Sequence, residues 1–302
     1  MKINIKFILL IVITSFLGSC KNQEKDEKEE TIETPKTKDV SDNLNISLLL
    51  DLSDRISPTK YPNLTMEFYL RDVGYINSVS DAFTEHIRTK KVVRANDKIQ
   101  LFFDPAPFNP EINKISKDLK IEINKNNISK ELINKTKTIY ATDPLKIYDL
   151  AIKDQHYIGS DTWKFFKDKV NDYCIEDNYR NILVILTDGY IYFENSKIKE
   201  ANLTTYLTPE LIRVNKLNSS DWSQKLTNQQ LGFIKANNDL SNLEILVLGI
   251  NPNPKNPYEE DVIKAYWTNW FESMKVKRYE IRNADLPSNI NKVIKDFILK
   301  SK

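Results

Sequence analysis

The sequence predicts an α/β fold, a doubly wound and mostly parallel central sheet flanked by helices, and three observations carry that prediction. Two mostly apolar runs, Ile46 to Leu50 and Ile182 to Leu186, each end on an aspartate beside small or hydroxyl residues. These ends read Asp51-Leu52-Ser53-Asp54-Arg55 and Thr187-Asp188-Gly189. Short continuous runs of this kind are strands buried on both faces, as in the centre of a parallel sheet. A third such run, Leu243 to Ile250, and intervening segments with apolar spacings of three and four supply the alternation of strands and helices that the class requires.

The first strand ends at Asp51, and the prolines of Ser57 to Pro62 hold a loop open before any helix begins. Phe68, Val73, Ile76, Val79, Phe83 and Ile87 mark one face of a helix between Met66 and Arg88. A second strand is predicted at Lys98 to Phe103, a loop at Asp104 to Pro107, and an alternating third strand at Leu119 to Ile123. Ser129 to Lys137 and Pro144 to Asp154 read as two helices, the second capped by Asp143 with proline at its first position. A further helix follows Thr162 to about Tyr173 before the strand that ends at Asp188.

The stretch from about 190 to 242 is long for a connection and reads as an insertion leaving directly from that strand end. Tyr190 to Phe193 suggests a hairpin, and Thr208 to Val214 and Asn228 to Ala236 suggest short helices. After the strand ending at Ile250 come a proline-rich loop, a helix through Val262 and Met274, a strand at Arg278 to Ile281 and a closing helix from Pro287 to Ile298. Trp267 and Trp270 fall at helical spacing and so read as core.

The amino terminus is of another kind. Lys2 and Lys6 precede an apolar stretch from Phe7 to Leu17, which ends in Leu17-Gly18-Ser19-Cys20. That stretch is too short for a membrane span and has the layout of a secretory signal. Its ending resembles a bacterial lipobox, which implies a signal peptide over 1–19, cleavage before Cys20 and lipidation of its thiol. Acyl chains contribute about 0.8 kcal/mol per buried CH₂, enough together to anchor the chain to a membrane. Residues 20–43 alternate lysines with glutamates and aspartates and hold almost no large apolar residue, so a disordered tether is expected, reaching up to roughly 75 Å. The acids close to Cys20 resemble the export signal of Bacteroidetes surface lipoproteins, which implies the outer membrane and its outer face.

The remaining 44–302 form one domain long enough for a sizeable core. Once Cys20 is lipidated only Cys174 remains, so no intramolecular disulfide is expected, and Cys174 reads as a buried small hydrophobe. The formal net charge is +2, with lysines interleaved among acids, which argues against nucleic acid as a partner.

An aspartate just past the carboxyl end of a buried parallel strand sits where open α/β sheets place their ligands. Two such ends bring carboxylates and hydroxyls to one crevice, a donor set suited to Mg²⁺, Mn²⁺ or Ca²⁺. Asp51 and Ser53, Gly159-Ser160-Asp161-Thr162 ahead of an aromatic helix, and Thr187-Asp188-Gly189 together resemble the von Willebrand factor A-type domain family. That family has an Asp-x-Ser-x-Ser loop, a middle-loop threonine and a Thr-Asp-Gly turn. The resemblance implies a metal-ion-dependent adhesion site made by Asp51, Ser53, Ser160, Thr162 and Asp188, with Ser160 in the metal-proximal position. It also implies a protein partner whose exposed carboxylate completes the ion's shell.

One residue departs from the pattern. Arg55 stands where the family has its second serine, and a permanent cation cannot ligate a metal. Its guanidinium is expected between Asp51 and Asp188, neutralising them in place of the ion and, with Asp54 beside it, offering a bidentate fork to the same partner carboxylate, so that both versions expect a partner with an exposed Asp or Glu. A rival reading is a metal-dependent hydrolase or phosphoesterase using Asp51, Asp54 and Asp188. His86 and His156 have no companion at ligand spacing, and no nucleophile elbow, His-Glu-x-x-His or phosphate loop is present, so the sequence favours a non-catalytic protein. A third reading is a scaffold subunit of an envelope assembly. The leading expectation is a lipid-anchored binding module of the cell envelope, metal-dependent or metal-free according to Arg55.

Overall fold

The computed structural model describes residues 42–300. The signal segment, Cys20 and all but the last two residues of the expected tether lie outside the described residues. Among the described residues no helix is long and apolar enough to cross a membrane.

The buried runs form a six-stranded sheet. β1 (Leu44–Leu50), β2 (Asn96–Phe102), β3 (Ile121–Asn124), β4 (Arg180–Leu186), β8 (Leu243–Ile250) and β9 (Arg278–Asn283) lie in the order β3-β2-β1-β4-β8-β9. All neighbours are parallel except β2 and β3. Every residue of β1, β4 and β8 is buried, including the polar Asn45, Ser47, Arg180, Asn181 and Glu244, as befits central strands covered on both faces. On one face α1 (Phe68–Thr89), α3 (Lys130–Asp154) and α9 (Pro287–Leu299) cover a core centred on Ile46, Leu48, Val184 and Leu246. On the other face α4 (Thr162–Asp168), α5 (Val170–Cys174) and α8 (Glu259–Ser273) cover Leu49, Ile185 and Val247. This is the doubly wound α/β sheet expected, with helices on both faces.

Trp267 and Trp270 are fully buried on that second face, beside Phe166 and Phe271. Cys174 is buried too, and burial pushes its thiol up to about 12.

Several elements differ from the sequence reading. The two helices expected around Asp143 are one, α3, capped by Ser129, whose hydroxyl accepts from the Leu132 N–H. Pro144 lies inside it and is buried. Burial of Ile133, Tyr140, Ile147 and Tyr148 along both halves holds the helix together across the proline. α2 (Pro110–Asp118) was not anticipated; Asn109 caps it and Pro110 fills its first position. The helix after Thr162 is broken at Lys169 into α4 and α5.

Within the insertion, β5 (Lys199–Glu200), β6 (Leu203–Thr204) and β7 (Gly232–Phe233) make a small sheet of their own. α6 (Pro209–Val214) forms as expected, with Thr208 as its cap. The second insertion helix is instead α7 (Trp222–Asn228), ending where Asn228 to Ala236 was expected to begin helix. Gln230 has positive φ and Phe233 turns into the aromatic core, which excludes a helix there.

Candidate functional site

Strand register builds the floor of the site. Leu50 pairs with Leu186 across β1 and β4, and the Asp51 N–H donates to the Leu186 carbonyl at 3.0 Å. Asp51 and Thr187 therefore leave the sheet side by side, with Asp188 one residue further on. The Thr187 hydroxyl donates to Asp51 Oδ2 at 3.2 Å, and the Ser53 N–H donates to Asp51 Oδ1 at 2.8 Å. Asp188 accepts the Tyr190 N–H on Oδ1 at 3.1 Å. Oδ2 of Asp188 has no hydrogen-bond partner among the described residues and borders open space. Burial, followed by repulsion from Asp51, raises the Asp188 carboxyl from 3.8 to about 7.

Gly189 makes the turn possible. Its φ is +98°, and an added Cβ would meet Ile263 Cγ2 at 2.6 Å and Ile250 Cδ1 at 2.8 Å. Its carbonyl accepts from the Trp267 indole at 2.9 Å, tying the turn to the core. Gly189→Ala is expected to lower stability by about 2 kcal/mol, read as a shifted urea midpoint with an unchanged slope.

Arg55 is turned into the protein. Its Nε lies 3.5 Å from Asp51 Oδ2, and its Nη2 donates to Asp72 Oδ2 at 2.5 Å and to the Leu186 carbonyl at 3.0 Å. Asp72 also accepts the Tyr148 hydroxyl at 3.0 Å. Arg55, Asp51 and Asp72 are all buried. Burial opposes charge on Arg55, but Asp72 and then Asp51 outweigh it and drive the guanidinium pKa further up. Burial raises Asp72, with Arg55 pulling it back down. The expected position of Arg55 between Asp51 and Asp188 is thus corrected. It lies against Asp51, but its closest partner is Asp72 on α1, and Asp188 feels it only through the field.

The middle loop reaches the same place. Ser160 pairs with Tyr192 of the insertion in an antiparallel bridge, and its hydroxyl lies 3.0 Å from that of Thr162. Asp161 caps α4 by accepting the Lys164 N–H at 3.1 Å. Above this floor lies a cleft of about 1180 Å³ bordered by Asp51, Ser53, Asp54, Arg55, Ser160 and Asp188. Thr162 does not border it; the threonine is buried one layer behind Ser160. Asp54 stands at the rim, 3.0 Å from the Lys60 ammonium. Neither histidine borders the cleft. His86 Nε2 is 3.4 Å from Asp97 Oδ1, by the start of β2, and His156 borders a separate 150 Å³ pocket.

An adhesion-type ion does not fit this donor set well. The second serine is an arginine, both oxygens of Asp51 are engaged by the chain, and a buried cation already lies against Asp51. Among the described residues no group of three His, Cys, Asp or Glu side chains clusters as metal ligands. The residues that sequence reasoning missed are Asp72 and Tyr148, which fix Arg55, while Tyr190, Tyr192 and Phe193 of the insertion wall the cleft.

The sequence matches no family model, and it has no match among curated proteins. Three solved structures match the chain at low similarity. An aerotolerance-related membrane protein from Bacteroides fragilis is 11% identical, with 86% of this chain and 100% of that one aligned at a TM-score of 0.38. A pilus adhesin from Lactobacillus rhamnosus GG is 12% identical over 85% of this chain and 30% of that one, at 0.37. A minor pilin from Streptococcus sanguinis is 10% identical over 86% and 64%, at 0.34. The chain has a six-stranded, mostly parallel α/β sheet consistent with a von Willebrand A or Rossmann-like fold, with its candidate site at the carboxyl ends of β1 and β4.

Proposed function

We propose that the chain is a binding module of the cell envelope that seats part of another protein in the cleft at the carboxyl end of its sheet, without a metal ion and without catalysis. The cleft opening over Asp51 and Asp188 is the observation that carries this reading. Its surroundings suit a macromolecular partner. Tyr61 and Tyr192, which border the cleft, are 46% and 40% exposed. Attachment to the envelope rests on the lipobox-like Leu17-Gly18-Ser19-Cys20.

In this reading Arg55 takes over the electrostatic task of an ion by compensating Asp51 and Asp72 from within. The metal-dependent version, with a partner carboxylate on the ion, is supported by one observation: Ser53, Ser160 and Asp188 all border the cleft. Calorimetric titration of Mg²⁺, Mn²⁺ and Ca²⁺ into the full chain separates the two. No saturable heat is expected. Saturable binding that disappears in Asp51→Ala would instead establish the metal-dependent version and its carboxylate-bearing partner.

A further inference from the structure

We infer that the cleft takes the ammonium or guanidinium group of a basic segment on the partner protein, and that Lys60 holds a seat for that group in the unliganded chain. The inference rests on the cleft being the binding site and names the chemistry of what enters it.

Charge is the first reason. Of the four acids bordering the cleft, Asp51 is compensated by Arg55 and by two internal hydrogen bonds, and Glu194 accepts from the Tyr192 hydroxyl. Asp188 presents an unpartnered Oδ2 to the cleft, and Asp54 stands at its mouth. The cations bordering it are Arg55, which is buried and committed to Asp72, and Lys60. A carboxylate entering this space would meet Asp188 with no free cation in the floor, whereas a basic side chain would meet an acceptor.

The walls are the second reason. Tyr61, Tyr157, Tyr190, Tyr192 and Phe193 border the cleft. Aromatic faces attract cations, and the methylene stems of lysine and arginine pack against rings and prolines while the charged end seeks an acceptor.

The chain's own lysines already make these contacts. Lys60 Nζ lies 3.0 Å from Asp54 Oδ2 and 5.5 Å from the Tyr157 ring centroid, so one ammonium is held by a carboxylate and a ring face of the cleft. Outside the cleft lining, Lys197 Nζ lies 5.5 Å from the centroids of Tyr206 and of the cleft residue Tyr192. The Lys60–Asp54 pair is well exposed, and an exposed pair contributes little, so an incoming cation can displace it.

The test is calorimetric titration of the full chain with the blocked pentapeptide Gly-Gly-Lys-Gly-Gly and with counterparts carrying Arg, Gln or Asp at the centre. The Lys and Arg peptides are expected to bind about tenfold tighter than the Gln peptide, with the advantage shrinking as salt is raised. Asp188→Asn should abolish that advantage. Lys60→Met should tighten the Lys peptide by about three- to fivefold by vacating Asp54 and the Tyr157 face. Lys and Arg peptides binding no tighter than Gln, or an unchanged affinity in Lys60→Met, would overturn the inference. Saturable binding of the Asp peptide alone would overturn it while leaving the cleft as the binding site, and binding of none of the four would count against both.

Discussion

Replacing Arg55 by serine is expected to cost the domain about 3–5 kcal/mol of unfolding free energy, because it strands two buried carboxylates, Asp51 and Asp72, without their shared cation. Tyr148 still donates to Asp72, but one hydroxyl does not replace a full charge. Urea denaturation at neutral pH measures the loss. The penalty should shrink as the pH falls and the stranded Asp72 takes up a proton in the folded variant. Adding Asp72→Asn to Arg55→Ser should recover a large part of it, and the resulting double-mutant cycle isolates the pairing energy. The same serine restores the Asp-x-Ser-x-Ser pattern, so Mg²⁺ should raise the melting temperature of Arg55→Ser and leave the parent unchanged.

Asp188→Asn is expected to act in the opposite direction on stability. The carboxyl sits at about 7 in the fold against 3.8 as its ordinary value, so the folded state holds its proton more tightly than the unfolded chain. Below about pH 4 the group is protonated in both states and contributes nothing. As the pH rises through the window up to about 7 the unfolded chain is favoured progressively, and above it the full cost of an ionised Asp188 is present. A shift of that size corresponds to roughly 4 kcal/mol, reduced to about 2 kcal/mol by solvent reaching the carboxylate through the cleft. The amide variant should therefore be more stable than the parent at pH 8, with the difference fading towards pH 4, as followed by denaturant midpoints across that range. The same variant should lose affinity for the ligand. An acid that weakens the fold where it faces open space is what a binding site retained at the expense of stability would show.

The floor of the site was legible because it follows from strand ends. The runs closing on Asp51 and Asp188 are mostly apolar, and adjacent parallel strands of matched length deliver their next residues to one place. The departure at Arg55 was legible as a residue type, but its destination was not. Asp72 is a charged residue in an amphipathic helix and so reads as solvent-facing. Its spacing of four, seven and eleven from Ile76, Val79 and Phe83 nevertheless puts it on the buried stripe, and that was the available signal. Pro144 misled in the other direction, since a local rule ended a helix that packing on both sides of it carries through. The insertion was recognised as a unit, but its aromatics divide in a way that only tertiary structure shows. Phe233 joins Tyr266, Trp267 and Trp270 in the core, whereas Tyr190, Tyr192 and Phe193 border the cleft.

The proposed role of Arg55 is to stand in for an ion at the ends of β1 and β4. Anomalous difference maps from crystals of the parent and of Arg55→Ser, both grown with Mn²⁺, test it most directly. No manganese peak is expected at the floor of the parent's cleft, and a peak is expected among Ser53, Ser160 and Asp188 in the variant. A manganese peak at that position in the parent would contradict it.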